Sequence, residues 1–180
     1  DVACAHHENR DAMIYHDVRV LRPSFYQNSW SLDKCKRHSI FVGSSQNQIK
    51  GLHYVLQALP LILKVYPDTQ LTIASPDFIH AESLKAKLMY QSYWLYLRKL
   101  IQKYDLWDHI RFLGVLDEPA MCQAFLDANV FVLPSVIENS PNTLSEAAVL
   151  GVPTVSSFIA GVPDIVENGV NGWLYAYDEY

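Results

Sequence analysis

Cysteine is scarce and scattered in this chain: Cys4, Cys35 and Cys122 are the only three in 180 residues, and no two form a C-x-x-C. That argues against a disulfide framework and against a cysteine zinc site, and it fits a reducing cytoplasm. Long apolar runs are missing too. A membrane-spanning helix needs about 20 apolar residues, whereas the greasiest stretch, YVLQALPLILKVY, is broken by Gln57, Pro60 and Lys64 and reads as a core helix. There is no excess of basic charge: 14 Lys and Arg stand against 19 Asp and Glu, for a net charge of −5 and a pI near 5.7. A phosphate backbone is usually met by a basic face, so nucleic acid is not expected as a partner. A small anionic ligand, which needs only a few local cations, remains allowed. No D-x-D occurs, so a carboxylate pair bridging a metal is not indicated. Internal repeats, low-complexity segments and a signal-peptide pattern are also absent. The chain opens on Asp1-Val2-Ala3-Cys4 and is expected to be cut from a longer protein.

What is present is apolar material in a regular rhythm. Half of the residues are hydrophobic, enough for the core of one domain. From residue 38 onward, short apolar runs at 39–43, 70–74, 110–114, 130–134, 153–157 and 172–176 read as strands. Helical patterns lie between them at 51–66, 81–104, 118–128, 141–150 and 161–167, with Pro60 expected to kink or restart the first. Strands this continuously apolar are covered on both faces. The pattern predicts an α/β fold, a Rossmann-like doubly wound parallel sheet, whose ligands bind beyond the carboxyl ends of the strands. Residues 1–37 do not share the alternation. They read as an interdomain linker or the remnant of a preceding domain, leaving 38–180 as the domain proper.

Chemistry is therefore sought in the loops after the strands. After the run ending at Pro134 comes VIENSPNTLSEAAVLGVPTV, with Glu138 and Glu146 separated by seven residues. Ser140 suits a helix N-cap and Pro141 a first helical position, so a helix is expected from 141 to near Gly151. Its free N–H groups and dipole favour an anion such as phosphate. Glu138 then sits just ahead of the helix, and Glu146 about 7.5 Å along it at 1.5 Å per residue. Two carboxylates so placed are poor phosphate ligands and good acceptors for hydroxyls on either side of a phosphate. On spacing alone, an exposed loop glutamate and a helix-surface glutamate explain the pair equally well. A second loop, GSSQNQIKG over 43–51, offers Gly43 for a tight turn and Lys50 as a point charge for the same region.

In order along the chain, IRFLGVLDE, ENSPNTLSE, AAVLGVPTVSS and AGVPDIVENGVNGWL resemble the C-terminal, donor-binding domain of glycosyltransferase family 4, retaining nucleotide-sugar transferases of the GT-B fold. LRPSFY resembles the segment ahead of that domain in some bacterial members. The resemblance implies parts for individual residues. Glu138 would face the hydroxyls of the transferred sugar and Glu146 the ribose. Lys50 would neutralise the leaving diphosphate with backbone amides around Asn142 and Thr143, beside Gly43, Ser44 and Ser140. Leu116 would lie near the nucleobase. Where many members carry arginine directly after the glycine, this chain has Ser44, so one of two phosphate cations is absent. Phe-Gly in the loop before the helix is replaced by Asn139-Ser140-Pro141, and a glycine-rich turn after the second strand by ASPDF.

The implied activity is retaining transfer of a sugar from a nucleoside diphosphate sugar to an acceptor glycan or lipid-linked sugar, in bacterial polysaccharide or glycoconjugate synthesis. The acceptor would bind a missing N-terminal domain, and the fragment alone is expected to be inactive. The donor is a substrate; no cofactor and no metal are expected. The setting is cytoplasmic, with peripheral contact at the inner face of the membrane as a further expectation. That contact would involve the aromatic, basic helix at 85–107, for which packing on the sheet with Lys85, Lys87, Arg98 and Lys99 outward is the reading preferred. Alternatives are a GT-B-like nucleotide-sugar epimerase and a non-catalytic sugar-nucleotide or partner-binding module. Cys4, His6, His7, Glu8, Asp11 and His16 do not match a zinc ligand spacing, and His53, His80 and His109 are assigned no chemical part.

Overall fold

The computed structural model describes residues 7–11, 13, 20–45, 47–77 and 91–176. Six strands form one parallel sheet: β1 Ser39–Val42, β2 Gln70–Ile73, β3 Ile110–Phe112, β4 Val130–Leu133, β5 Thr154–Ser157 and β6 Gly172–Tyr175. Their order is β3-β2-β1-β4-β5-β6. All six apolar runs became strands, each one or two residues shorter than its run. The described helices are α1 Pro23–Tyr26, α2 Leu52–Leu63, α3 Gln91–Lys103, α4 Glu118–Asp127 and α5 Asn142–Leu150.

Strand period divides the core in two. Ile40 and Val42 of β1, with Leu71 and Ile73 of β2, pack under α2 and α3, against Leu52, Leu56, Leu59, Leu97 and Ile101. Phe41, between them in sequence, points the other way. With Phe131 and Leu133 of β4 it meets α1, α4 and α5 through Phe25, Phe125, Leu144, Ala147 and Leu150. Helices on both faces of a parallel sheet make the doubly wound fold that the continuous apolar strands predicted.

Phe125 is the hub of the second layer. Its ring stands edge-on to Phe41 at 4.9 Å, to Phe131 at 4.9 Å and to Phe25 at 5.9 Å, and it is fully buried. Replacing such a residue by alanine removes its transfer energy and leaves a cavity that its neighbours fill only in part. Phe125→Ala is expected to cost about 3–5 kcal/mol, read as a lower urea midpoint at an unchanged denaturant slope.

Three expectations are corrected. No helix spans 161–167. The segment makes only a 3-10 turn at Val162–Asp164, and the chain is held there by the burial of Val162 and Val166. Pro60 neither breaks nor restarts α2, which runs on to Leu63; Leu56 and Leu59, both fully buried, hold that helix to the sheet. Ser140 is not an N-cap. Pro141 occupies that position in extended conformation, and no side chain caps the helix. With ψ 111, Pro141 is itself extended, so the helix begins at Asn142, one residue later than expected.

The segment before β1 lies against the domain. Leu21 and Phe25 are buried. Trp30 donates from its indole to the Ala128 carbonyl at 2.7 Å and from its backbone to Leu150 at 2.8 Å. Trp94, Leu97, Leu100 and Ile101 of α3 face the core, while Arg98 and Lys99 are exposed. Residues 78–90, which include Lys85, Lys87, His80 and the start expected for that helix, lie outside the described residues, as do Cys4, His6 and His16. Among the described residues no helix is long and apolar enough to cross a membrane.

Candidate functional site

The strand order locates the site. From β1 the chain moves out to β2 and β3 on one side, then returns to β4, β5 and β6 on the other. The loops leaving β1 and β4 therefore diverge over opposite halves of the sheet, and a crevice opens between them at the carboxyl ends. These are the loops that carry Gly43 to Lys50 and Pro134 to Pro141.

The two loops are stitched together. The Val136 N–H donates to the Ile49 carbonyl at 2.9 Å. Gly51 follows a 3-10 turn, Gln48–Lys50, and has φ 71; a Cβ there would run into the Pro134 carbonyl oxygen. Gly43 faces α5 so closely that a Cβ would stand 3.2 Å from Thr143 Cγ2. Behind them, Ser157 Oγ donates to the Ser135 carbonyl at 2.5 Å, tying β5 to the same loop.

This framework brings Lys50 and Glu138 into an ion pair, with Nζ 2.5 Å from Oε1. The Ser135 hydroxyl donates to the same oxygen at 2.8 Å. The lysine side chain is 29% exposed and that of the glutamate 11%, so the pair sits at the mouth of the crevice and within reach of a ligand. Asn142 and Thr143 open α5; their N–H groups have no acceptor within the helix and point out of its positive end. Asn142 and Ser140 are exposed and Ser44 is half-buried.

Glu146 is held elsewhere. It is buried in α5 and does not share a partner with Glu138; its Oε1 receives Arg22 Nε at 2.9 Å and Arg22 Nη2 at 2.8 Å. Burial pushes its carboxyl above the ordinary range, and the Arg22 guanidinium pulls it part of the way back. Beside it, Glu118 at the start of α4 accepts from Ser24 N at 2.9 Å and Ser24 Oγ at 2.7 Å, which holds its carboxyl below the usual value. Leu116, half-buried, lies in the loop after the edge strand β3, two strands away from β1. The structure thus pairs Lys50 with Glu138 and sets Gly43 against Thr143, while Glu146 is held by Arg22 and Leu116 lies on the loop after β3. Ser135, Arg22, Ser24 and Glu118 were not anticipated. The only signal for Arg22 was its place in LRPSFY, because its contact with Glu146 spans 124 positions. His53 and His109 hydrogen-bond the Tyr93 hydroxyl and the Thr69 carbonyl.

This Rossmann-like parallel sheet has glycosyltransferases of the GT-B fold as its structural neighbours. HepE of Anabaena, solved in complex with UDP-glucose, superposes with a TM-score of 0.64 at 22% identity, over 86% of this chain and 39% of that one. The chain belongs to the family of glycosyl transferases group 1, whose model matches residues 24–179. The amylovoran biosynthesis glycosyltransferase AmsK of Erwinia amylovora is 33% identical over 84 residues, 43% of this chain and 21% of that protein. The glycogen synthase of Mycobacterium tuberculosis is 32% identical over 133 residues, 74% of this chain and 28% of that protein. The chain spans well under half the length of each of these relatives.

Proposed function

We propose that this chain is the donor-binding half of a retaining glycosyltransferase that moves a sugar from a nucleoside diphosphate sugar to an acceptor, in polysaccharide or glycoconjugate synthesis. The observation that carries the reading is the Lys50–Glu138 pair at the switch point, beside the open end of α5. The complex of HepE with UDP-glucose and the place of AmsK in amylovoran biosynthesis support the same class of donor and product.

The chemistry follows from charge. Departure of the sugar leaves a diphosphate that gains negative charge, and preset positive groups stabilise it without a base on this side. Glu138 neutralises Lys50 in their ion pair. A diphosphate, with more charge to offer, draws the ammonium toward itself and frees Glu138 to accept hydroxyls of the sugar. Asn142 and Thr143 N–H groups supply the remaining positive potential, in place of the arginine whose position Ser44 takes. The acceptor binds a partner half outside this chain, with residues 1–37 as the interdomain linker or the remnant of that half.

Calorimetric titration of the chain with UDP, GDP and their sugars tests the reading. Binding of at least one below about 1 mM, or roughly 4 kcal/mol, is expected. No binding by any of them in that range overturns the donor site. A product assay on the whole protein decides the reaction, since sugar on an acceptor means transfer and an isomerised free sugar means epimerisation.

A further inference from the structure

The charge of this acidic chain is sharply segregated. Residues 51–66 and 83–104 hold six of its 14 cations and none of its 19 acids; elsewhere eight cations stand against all 19 acids, a net charge of −11. The nearest following acids, Asp68, Asp105 and Asp108, come after the ends of α2 and α3. Of the six cations, Lys64, Arg98, Lys99 and Lys103 are exposed, and none of these four pairs with a carboxylate among the described residues. Apolar side chains stand among them. On α3, Lys99 follows Leu95 by four residues and Tyr96 by three, and Lys103 follows Lys99 by four, so all share one stripe. On α2, Gln57, Leu61 and Lys64 recur at the same spacing. Gln57 Nε2 donates to Tyr96 Oη at 3.1 Å, which joins the two stripes into one outer face. On that face Leu61 is 64% exposed, Leu95 55% and Tyr96 40%.

We infer that the outer face of α2 and α3 seats this domain on an anionic lipid bilayer, its cations over the lipid phosphates and Leu61, Leu95 and Tyr96 in the headgroup layer. A merely solvated helix alternates charges of both signs along its face; this face has one sign. A bilayer with acidic lipids attracts each nearby Lys or Arg and offers an apolar boundary beneath its phosphates, which suits leucine and tyrosine set between cations. The rest of the chain, at −11, is repelled by the same surface, so only one orientation is favourable. The seat is mainly electrostatic. Trp94, Leu97, Leu100 and Ile101 of α3 are buried in the core, so the helix cannot roll its apolar side into lipid, and binding depends on acidic headgroups and low salt. α2 starts directly after Lys50 and Gly51, so a domain seated this way holds the crevice close to the bilayer. The inference does not depend on which donor binds there.

Co-sedimentation of the whole protein with vesicles tests it, using phosphatidylcholine alone and phosphatidylcholine with one part in three of phosphatidylglycerol. At 0.1 M NaCl the anionic vesicles are expected to bind at least about tenfold more tightly. The difference is expected to vanish at 1 M, where the screening length falls from about 10 Å to about 3 Å. Lys99→Glu is expected to weaken binding to the anionic vesicles by at least about fivefold, and Leu95→Ser by about threefold. Lys34→Glu makes the same charge change on the exposed loop before β1 and is expected to stay within about twofold of the parent. Urea midpoints confirm that the variants fold; should Lys99→Glu not fold, Lys99→Gln against Lys34→Gln makes the same comparison, with a loss of about threefold expected. Equal binding to the two kinds of vesicle overturns the inference, as it would if another part of the protein covered this face. It is overturned too if Lys99→Glu or Leu95→Ser behaves as Lys34→Glu does, since the contact with lipid then lies elsewhere.

Discussion

Lys50→Ala is expected to lower the rate of sugar transfer by about 10²–10³-fold in the whole protein, the loss typical of removing one preset charge from a developing anion. The size follows from how little else in the crevice is positive. With Ser44 in the position of the usual arginine, the amides opening α5 are what join Lys50 there among the described residues. Its present partner makes a paired experiment informative. Glu138→Gln removes the carboxylate that neutralises the ammonium, so it is expected to tighten binding of plain UDP or GDP by about threefold, the scale of a partly exposed ion pair. The same change is expected to slow transfer, because the acceptor for the sugar hydroxyls is weakened. Lys50→Ala is expected to weaken both. Calorimetry and a turnover assay read the four signs, and a Glu138→Gln variant that loses nucleotide affinity as Lys50→Ala does would show that the pair is merely structural.

Gly51→Ala is expected to be the most damaging single methyl in the site. At φ 71 any side chain is strained, at about 1–2 kcal/mol, and here the new Cβ also meets the backbone oxygen of Pro134. A backbone oxygen cannot swing away as a side chain does, so one loop has to shift, and a total near 3 kcal/mol or more is expected. Gly151→Ala is the control, with φ 78 and no atom within 4 Å of the new Cβ; it is expected to show the strain alone, about 1 kcal/mol. Urea midpoints measure both. Only Gly51→Ala is expected to lose nucleotide affinity as well, because the displaced loops carry Lys50 and Glu138. Equal destabilisation in the two variants would mean that the contact with Pro134 is easily relieved.

Much of this site was legible because its signals are local. A strand of apolar residues with a helix-starting loop after it announces its own end, so Lys50 and Glu138 were placed at strand ends before any pairing was known. The strand order was not needed for that, only the rule that ligands gather at carboxyl ends. Ser140 failed as a cap although both local rules favoured it, a serine N-cap and a proline at the first helical position, because Pro141 itself is extended and the helix starts at Asn142. The expected helix at 161–167 failed because apolar spacing marks burial and not hydrogen bonding. Val162 and Val166 are buried as a helix would bury them, yet they sit on a 3-10 turn and the irregular chain after it.

By itself, then, the sequence determined the sheet, its two-sided burial and the loops that hold the crevice, since each depends on residues within a few positions of one another. The tertiary structure alone decided the partners of the charges. Lys50 reaches Glu138 across 88 positions and Arg22 reaches Glu146 across 124. An ion pair leaves no periodic trace in the chain, and its members are chosen by which loops the strand order sets side by side.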